Sequence, residues 1–294
     1  MNPTLQGAFW MIGSIVSFTC MAIAGRAVSE ALDTFEIMTF RSLIGLVIVV
    51  ILLTLTRSWQ DINTARLKDH VIRNAAHFAG QNLWFYAIAV APLAQVFALE
   101  FTTPIWVILF SPLLLGEKLT RLRAACAVLG FVGILIVARP NADSINAGVL
   151  TAAGAAIFFA LTYILTKKLT KTQPISAIMF WLTLIQLVFG IVSASYDGDV
   201  TLPGQRELPF VTIIALAGLA AHYCIAKALT VASASVVAPV DFARLPVIAV
   251  VGVIVYNEPF DIWVIVGATV IFVANYLNIL GETRKNRVVT ASGL

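Results

Sequence analysis

Ten predominantly apolar stretches follow one another along the chain, at 7–24, 37–55, 71–90, 93–115, 119–138, 147–165, 175–191, 210–228, 236–256 and 262–280. An α-helix rises about 1.5 Å per residue, so roughly 20 apolar residues cross the ~30 Å hydrocarbon core of a bilayer. Lipid offers no partner to backbone N–H and C=O groups, which leaves the self-satisfied helix as the structure for such stretches. With 60% hydrophobic and 12% charged residues, the 294-residue chain holds more apolar surface than a soluble domain of its size buries. The expected fold class is therefore an all-α membrane protein with ten transmembrane helices. Joins such as Val90-Ala91-Pro92-Leu93 leave no room for a soluble domain and make neighbouring helices antiparallel. The first stretch has no basic region before it and no small-residue cleavage pattern after it, and reads as a retained helix.

Basic residues orient the bundle. With the amino terminus placed in the cytoplasm, the inner loops carry Arg57, Arg66, Lys68, Arg73, Lys118, Arg121, Arg123, Lys167, Lys168, Lys171, Lys227, Arg284, Lys285 and Arg287, and the outer loops Arg26, Arg139 and Arg206. The positive-inside rule then puts both termini in the cytoplasm of a bacterial inner membrane. A net charge of +4 needs no nucleic-acid partner, because topology and anionic lipid headgroups account for it. Cys20, Cys126 and Cys224 all fall in apolar stretches and read as packing residues, so no metal and no cofactor is expected.

The chain also repeats itself. Shifted by 141 residues, Gly7 falls on Gly148, Gly13 on Gly154, Phe18 on Phe159, Ile37 on Ile178 and Met38 on Met179. The register holds through Ala91 on Ala232, Val96 on Val237, Glu100 on Asp241, Phe101 on Phe242 and Glu117 on Glu258. Two five-helix units result, 1–141 and 142–294. Five is odd, so the second unit enters the membrane from the opposite side, which is an inverted-topology repeat with a site expected near the midplane. A duplicated bundle also serves channels and scaffolds, and that reading stays open here.

Arg41 in the second helix, the proline-bearing fourth helix ending in Leu115-Gly116-Glu117, and its counterpart ending in Tyr256-Asn257-Glu258-Pro259 carry a resemblance. Over essentially its whole length the chain resembles the drug/metabolite transporter superfamily, specifically the ten-helix EamA-type family, although Asn257 stands where that family usually has glycine. The resemblance implies a secondary transporter, often an exporter of amino acids or related metabolites. It also implies a cavity lined mainly by the third, fourth, eighth and ninth helices.

Charges at depth point to the same region. An Asp, Lys or Arg at a helix centre costs roughly 2.5–3.5 kcal/mol on insertion scales, so such residues face the interior. Arg41, Glu100, Asp241 and Arg244 are the candidates. Asp241 and Arg244 are three apart and share a helix face, while Arg41 or Arg244 is placed to neutralise Glu100. Glu100 and Arg244 are expected to contact the substrate or gate it, with Arg41 and Asp241 tuning their charge. Buried ion pairs that only hold the bundle are the competing reading, and whether Glu100 also carries a coupling proton stays open. Thr102, Thr103 and Pro104 follow Glu100 and can loosen the helix beside a cavity. His77, Gln81 and Trp84 share one face of the third helix, Asn82 adjoins them, and Gln81 maps onto His222 through the repeat. Tyr163, Trp181, Tyr223 and Trp106 either line a pathway or pack.

No GxxxxGK[ST] loop, no HExxH helix and no nucleophile elbow occurs, which excludes the familiar machinery of ATP hydrolysis, zinc hydrolysis and acyl transfer. The expected function is gradient-driven or exchange transport of a small polar or zwitterionic metabolite by alternating access, as export or exchange. Vitamin, nucleoside or quaternary-amine solutes are the alternatives, and an intramembrane enzyme or a channel is the second class.

Overall fold

The computed structural model describes residues 3–116, 120–138, 146–241 except 197 and 199, 244–257, and most of 262–281, and it is helical throughout its ordered elements. In chain order these are α1 (Pro3–Val28), α2 (Thr34–Leu55), α3 (Leu67–Val90), α4 (Leu93–Glu100), α5 (Thr103–Leu115), α6 (Arg121–Ala138), α7 (Ala147–Leu169), α8 (Ile175–Ala194), α9 (Leu208–Val231), α10 (Ala234–Val240) and α11 (Arg244–Tyr256). The described residues of the tenth stretch are helical as well. Among the described residues six segments are long and apolar enough to cross a membrane: α1, α2, 95–115, α7, α8 and α9. Their outward faces carry exposed Phe9, Leu55, Leu113, Leu150 and Val192, apolar surface that lipid solvates and water does not. Phe242, Glu117 and Glu258 of the repeat register, and Lys118, Arg139, Asp199, Pro259, Arg284, Lys285 and Arg287, lie outside the described residues.

Local chemistry sets the helix ends. Asp33 and Glu36 form a capping box at α2, each carboxylate accepting the other's backbone N–H at 2.8–2.9 Å. Asn146 caps α7 through Val149 N–H at 3.1 Å. Gly116 closes α5 at φ +68°, a left-handed position that suits glycine.

The fourth stretch is not one continuous helix. It breaks between Glu100 and Thr103, because Pro104 lacks an N–H and its ring crowds the carbonyl four residues back, that of Glu100. Thr103 Oγ1 takes up the freed Glu100 carbonyl at 2.5 Å, and lies 3.2 Å from Ala156 O on α7. In the ninth stretch α10 ends at Val240 and α11 begins at Arg244, with Pro246 in the first turn of α11, and residues 242 and 243 lie outside the described residues.

The two halves pack reciprocally. α1 lies along α9 and α3 along α7, while α2 meets α8, α4 meets α11 and α5 meets α10. In each crossing the equivalent glycine makes the close approach. A Cβ on Gly7 would stand 3.0 Å from Ala232 Cβ, and one on Gly148 2.8 Å from Ala91 Cβ. Gly13 packs on Cys224 and Gly154 on Leu83 in the same register. At the other end of α1, Arg26 donates to Ala91 O at 2.9 Å, while Lys167 at the end of α7 donates to Leu229 O and Ala232 O at 2.6 and 2.7 Å. These cation-to-carbonyl caps occupy repeat-equivalent positions. Because Gly7 meets Ala232, the carboxyl end of α7 lies beside the amino end of α1.

Candidate functional site

Between the two halves, beside the helix break that follows Glu100, lies a cavity with about 640 Å³ of space not filled by atoms, open solvent included. α1 supplies Phe18 and Met21, and α3 supplies Arg73, His77, Gln81 and Trp84. The α4–α5 break contributes Glu100, Thr103 and Pro104, α7 contributes Phe159, Thr162, Tyr163 and Thr166, α9 contributes His222, and the end of α10 and start of α11 bring in Asp241 and Arg244.

Arg244, 1% exposed, organises one end. Its Nη2 donates to Glu100 Oε1 across the two halves and to Asp241 Oδ2 at 3.1 Å within its own. The guanidinium carbon stands 4.9 Å from the Phe18 ring centroid, 5.0 Å from Phe97 and 5.5 Å from Phe101. Aromatic faces carry negative charge density, so three of them add to the two carboxylates in holding the buried cation. Trp84 Nε1 donates to the other Glu100 oxygen at 2.6 Å, which leaves that carboxylate little freedom. Asp241 Oδ1, Arg244 Nε and the Tyr163 hydroxyl are buried without a hydrogen-bond partner among the described residues. Such groups are rare in a packed interior, and here they border open space.

In the middle, His77 and His222 meet edge to face with ring centroids 4.4 Å apart. Both nitrogens of His77 and Nε2 of His222 have no protein partner among the described residues. Phe18 and Phe159 flank the pair at 5.8 and 6.3 Å.

The far end is cationic. Arg73, 2% exposed, donates from Nε to Thr166 Oγ1 at 3.1 Å and from Nη1 to Asn74 Oδ1 at 2.9 Å. It is therefore no loop residue, as its count among the inner-loop bases would have it. α3 begins before Arg73 and turns the residue inward against α7. Its spacing of four to His77, and that of eight to Gln81, places it on the one face that carries both, a signal present in the sequence.

The other expected site residues divide. Arg41 neutralises no carboxylate; its Nη1 donates to Gln81 Oε1 at 2.7 Å, and the residue lines a smaller satellite space with Gly45, Gln186 and Gly218. Glu100 takes Arg244 instead, because α4, which ends at Glu100, packs against α11, which begins at Arg244. Asn82 spends its amide on Phe78 O of its own helix at 2.8 Å and does not line the cavity. Tyr223 lies on the far side of α9 from His222, exposed, edge-on to Trp10 at 6.0 Å. Trp181 and Trp106 also lie away from the cavity, bonded to Asn63 O and Thr102 Oγ1. Phe97, which the sequence does not single out, belongs to the cage around Arg244.

Comparison with known proteins agrees with a duplicated membrane carrier. The pattern of the EamA-like transporter family matches residues 5–139 and again residues 146–280. An S-adenosylmethionine uptake transporter of Rickettsia bellii is 25% identical over 288 residues, spanning 97% of this chain and 98% of its own. A riboflavin transporter of Vibrio cholerae is 29% identical over 288 residues, with 96% of each chain covered. A second riboflavin transporter, from Brucella anthropi, is 33% identical over 217 residues, covering 71% of this chain and 76% of its own. One crystal structure shares the fold with a TM-score of 0.76 at 17% identity, over 96% of this chain and 98% of that one.

Proposed function

Because the chain belongs to the EamA-like transporter family, we propose that it moves a small polar or zwitterionic metabolite across the inner membrane by alternating access, with Glu100, Asp241 and Arg244 at the centre of the pathway. One observation carries the reading. The two halves place carboxylates at the same register, Glu100 at a helix break and Asp241 just past the end of α10, and share a single arginine between them. Discontinuous helices meeting at mid-depth are the places where secondary carriers hold solute. The two halves form ten helices as inverted repeats, 1–141 and 142–294. The reciprocal pairing of α1 with α9 and α3 with α7 supports that arrangement, as does the opposed placement of the Arg26 and Lys167 caps.

Transport proceeds by a gradient or by exchange, and protons are the coupling ion that buried carboxylates and imidazoles suit best. S-adenosylmethionine and riboflavin, named for the relatives, are the first solutes to try; the word uptake in the first name favours import over export. Counterflow in vesicles tests the reading. Purified protein preloaded with the correct unlabelled solute is expected to accumulate the labelled solute transiently and unaltered. Altered product would mark an enzyme, and passive flux without counterflow a channel.

Topology has its own test. A membrane-impermeant thiol reagent added to intact cells is expected to label Asp199→Cys, with Lys168→Cys labelled only after permeabilisation. The reverse pattern would turn the assignment of both termini to the cytoplasm upside down.

A further inference from the structure

Two buried guanidinium groups, Arg41 and Arg73, have only neutral partners among the described residues. Of the five N–H donors each carries, Arg41 spends one on Gln81 and Arg73 two on Thr166 and Asn74. Among the described residues neither has a carboxylate within ion-pairing distance, and both are more than nine-tenths buried. Buried charges are ordinarily paired, because stripping a cation of water without a counter-charge is costly, and more so in a bilayer. Arg244, satisfied by two carboxylates and three aromatic rings, shows what a compensated cation looks like in the same cavity.

The stripe on α3 gives the site a direction. Arg73, His77, Gln81 and Trp84 climb one helix face, and the Cα positions from Arg73 to Trp84 span about 16 Å at 1.5 Å per residue. The Trp84 end borders Glu100 and Asp241, two acids against one arginine. The Arg73 end has positive charge alone. Between them stand the unpartnered nitrogens of His77 and His222 with the Phe18 and Phe159 rings beside them.

We propose that Arg73 binds an oxyanion, a carboxylate or phosphate group of the transported solute, and thereby orients the solute in the cavity. The solute enters with its anionic group toward Arg73, and with its aromatic or cationic part against Phe18, Trp84 and the acids. Thr166 and Asn74 hold the Arg73 guanidinium in place, so that part of the ordering needed for an anion is already done. This deepens the transport reading and rests on it, but its test needs no transported solute.

Purified protein in lipid nanodiscs is titrated with sodium acetate and, separately, sodium phosphate, against sodium chloride at equal ionic strength, and its apparent melting temperature is followed. Acetate, phosphate or both are expected to raise it saturably, as a ligand bound only by the folded state does. Acetate alone assigns a carboxylate, phosphate alone a phosphoryl group. Arg73→Gln is expected to weaken that anion at least about tenfold, the loss of a charge-assisted hydrogen bond, and to melt no lower than the parent without anion. If Arg73→Gln fails to fold, Arg73→Lys, which keeps the charge but loses the planar fork, carries the comparison and is expected to weaken the same anion. No rise over chloride in the parent, or an undiminished rise in the variant, would overturn the proposal while leaving counterflow untouched. Loss of counterflow for every solute in a parent that still binds anion would instead sink the transport reading.

Discussion

Arg244→Gln is expected to abolish counterflow and to lower the stability of the protein, because it strands two buried carboxylates at once. Glu100 would keep Trp84 as a donor, and Asp241 would lose the one hydrogen-bond partner its side chain has among the described residues. Breaking a buried ion pair from one side typically costs about 3–5 kcal/mol, since the remaining charge stays desolvated and uncompensated. The two effects separate with a second change. Arg244→Gln combined with Glu100→Gln and Asp241→Asn removes the charges together and replaces them with polar groups of similar shape. That triple variant is expected to recover most of the melting temperature and none of the counterflow. Recovery of both would make the cluster a structural ion pair and remove it from the pathway. Glu100→Gln alone is expected to fold and to lose counterflow, leaving Arg244 with Asp241 and its aromatic cage.

Apolar run length, the 141-residue register and the positions of Glu100, Asp241 and Arg244 are legible in the sequence, because each is a property of residues read in order. What pairs with what is less so. A membrane helix is apolar toward both its neighbours and lipid, so the amphipathic signal that orients a soluble helix is faint, and α1 shows no apolar face by pattern. Its contact with α9 is set by the bare backbone at Gly7 and Gly13, which is meaningful only once Ala232 and Cys224 are known to lie opposite. The break after Glu100 is foreshadowed by Thr103 and Pro104, yet the apolar run continues across it and reads as one span. Arg41 illustrates the limit from the other side. Its depth is evident, whereas its partner follows from α2 facing Gln81 on α3, and the packing of α4 on α11 reserves Glu100 for Arg244. Arg73 is hidden for a different reason: near the start of a span a basic residue resembles a loop anchor, and its stripe with His77 and Gln81 is the feature that tells otherwise.

Opposite effects are expected from removing the two repeat-equivalent caps. Arg26 ties the end of α1 to Ala91, where α3 stops before the broken α4, and Lys167 ties the end of α7 to Leu229 and Ala232, where α9 stops before α10. The contacts of Gly7 with Ala232 put these ties at opposite ends of the bundle. In an alternating carrier only one end opens at a time, so a tie that holds one end shut favours the state open at the other. A charge-assisted hydrogen bond contributes about 1.5–3 kcal/mol, and each 1.4 kcal/mol is a factor of ten in a two-state population. Arg26→Met should therefore shift the protein about tenfold or more toward the state open at the Ala91 end, and Lys167→Met toward the state open at the Ala232 end. A reporter at Thr162→Cys, on the cavity wall, reads both in a background with Cys20, Cys126 and Cys224 replaced. Labelling by an impermeant reagent applied to one face of oriented vesicles should rise in one variant and fall in the other. Movement of both in the same direction would mean that the caps only stabilise helix ends, and that the matched pair is a relic of duplication rather than part of the transport cycle.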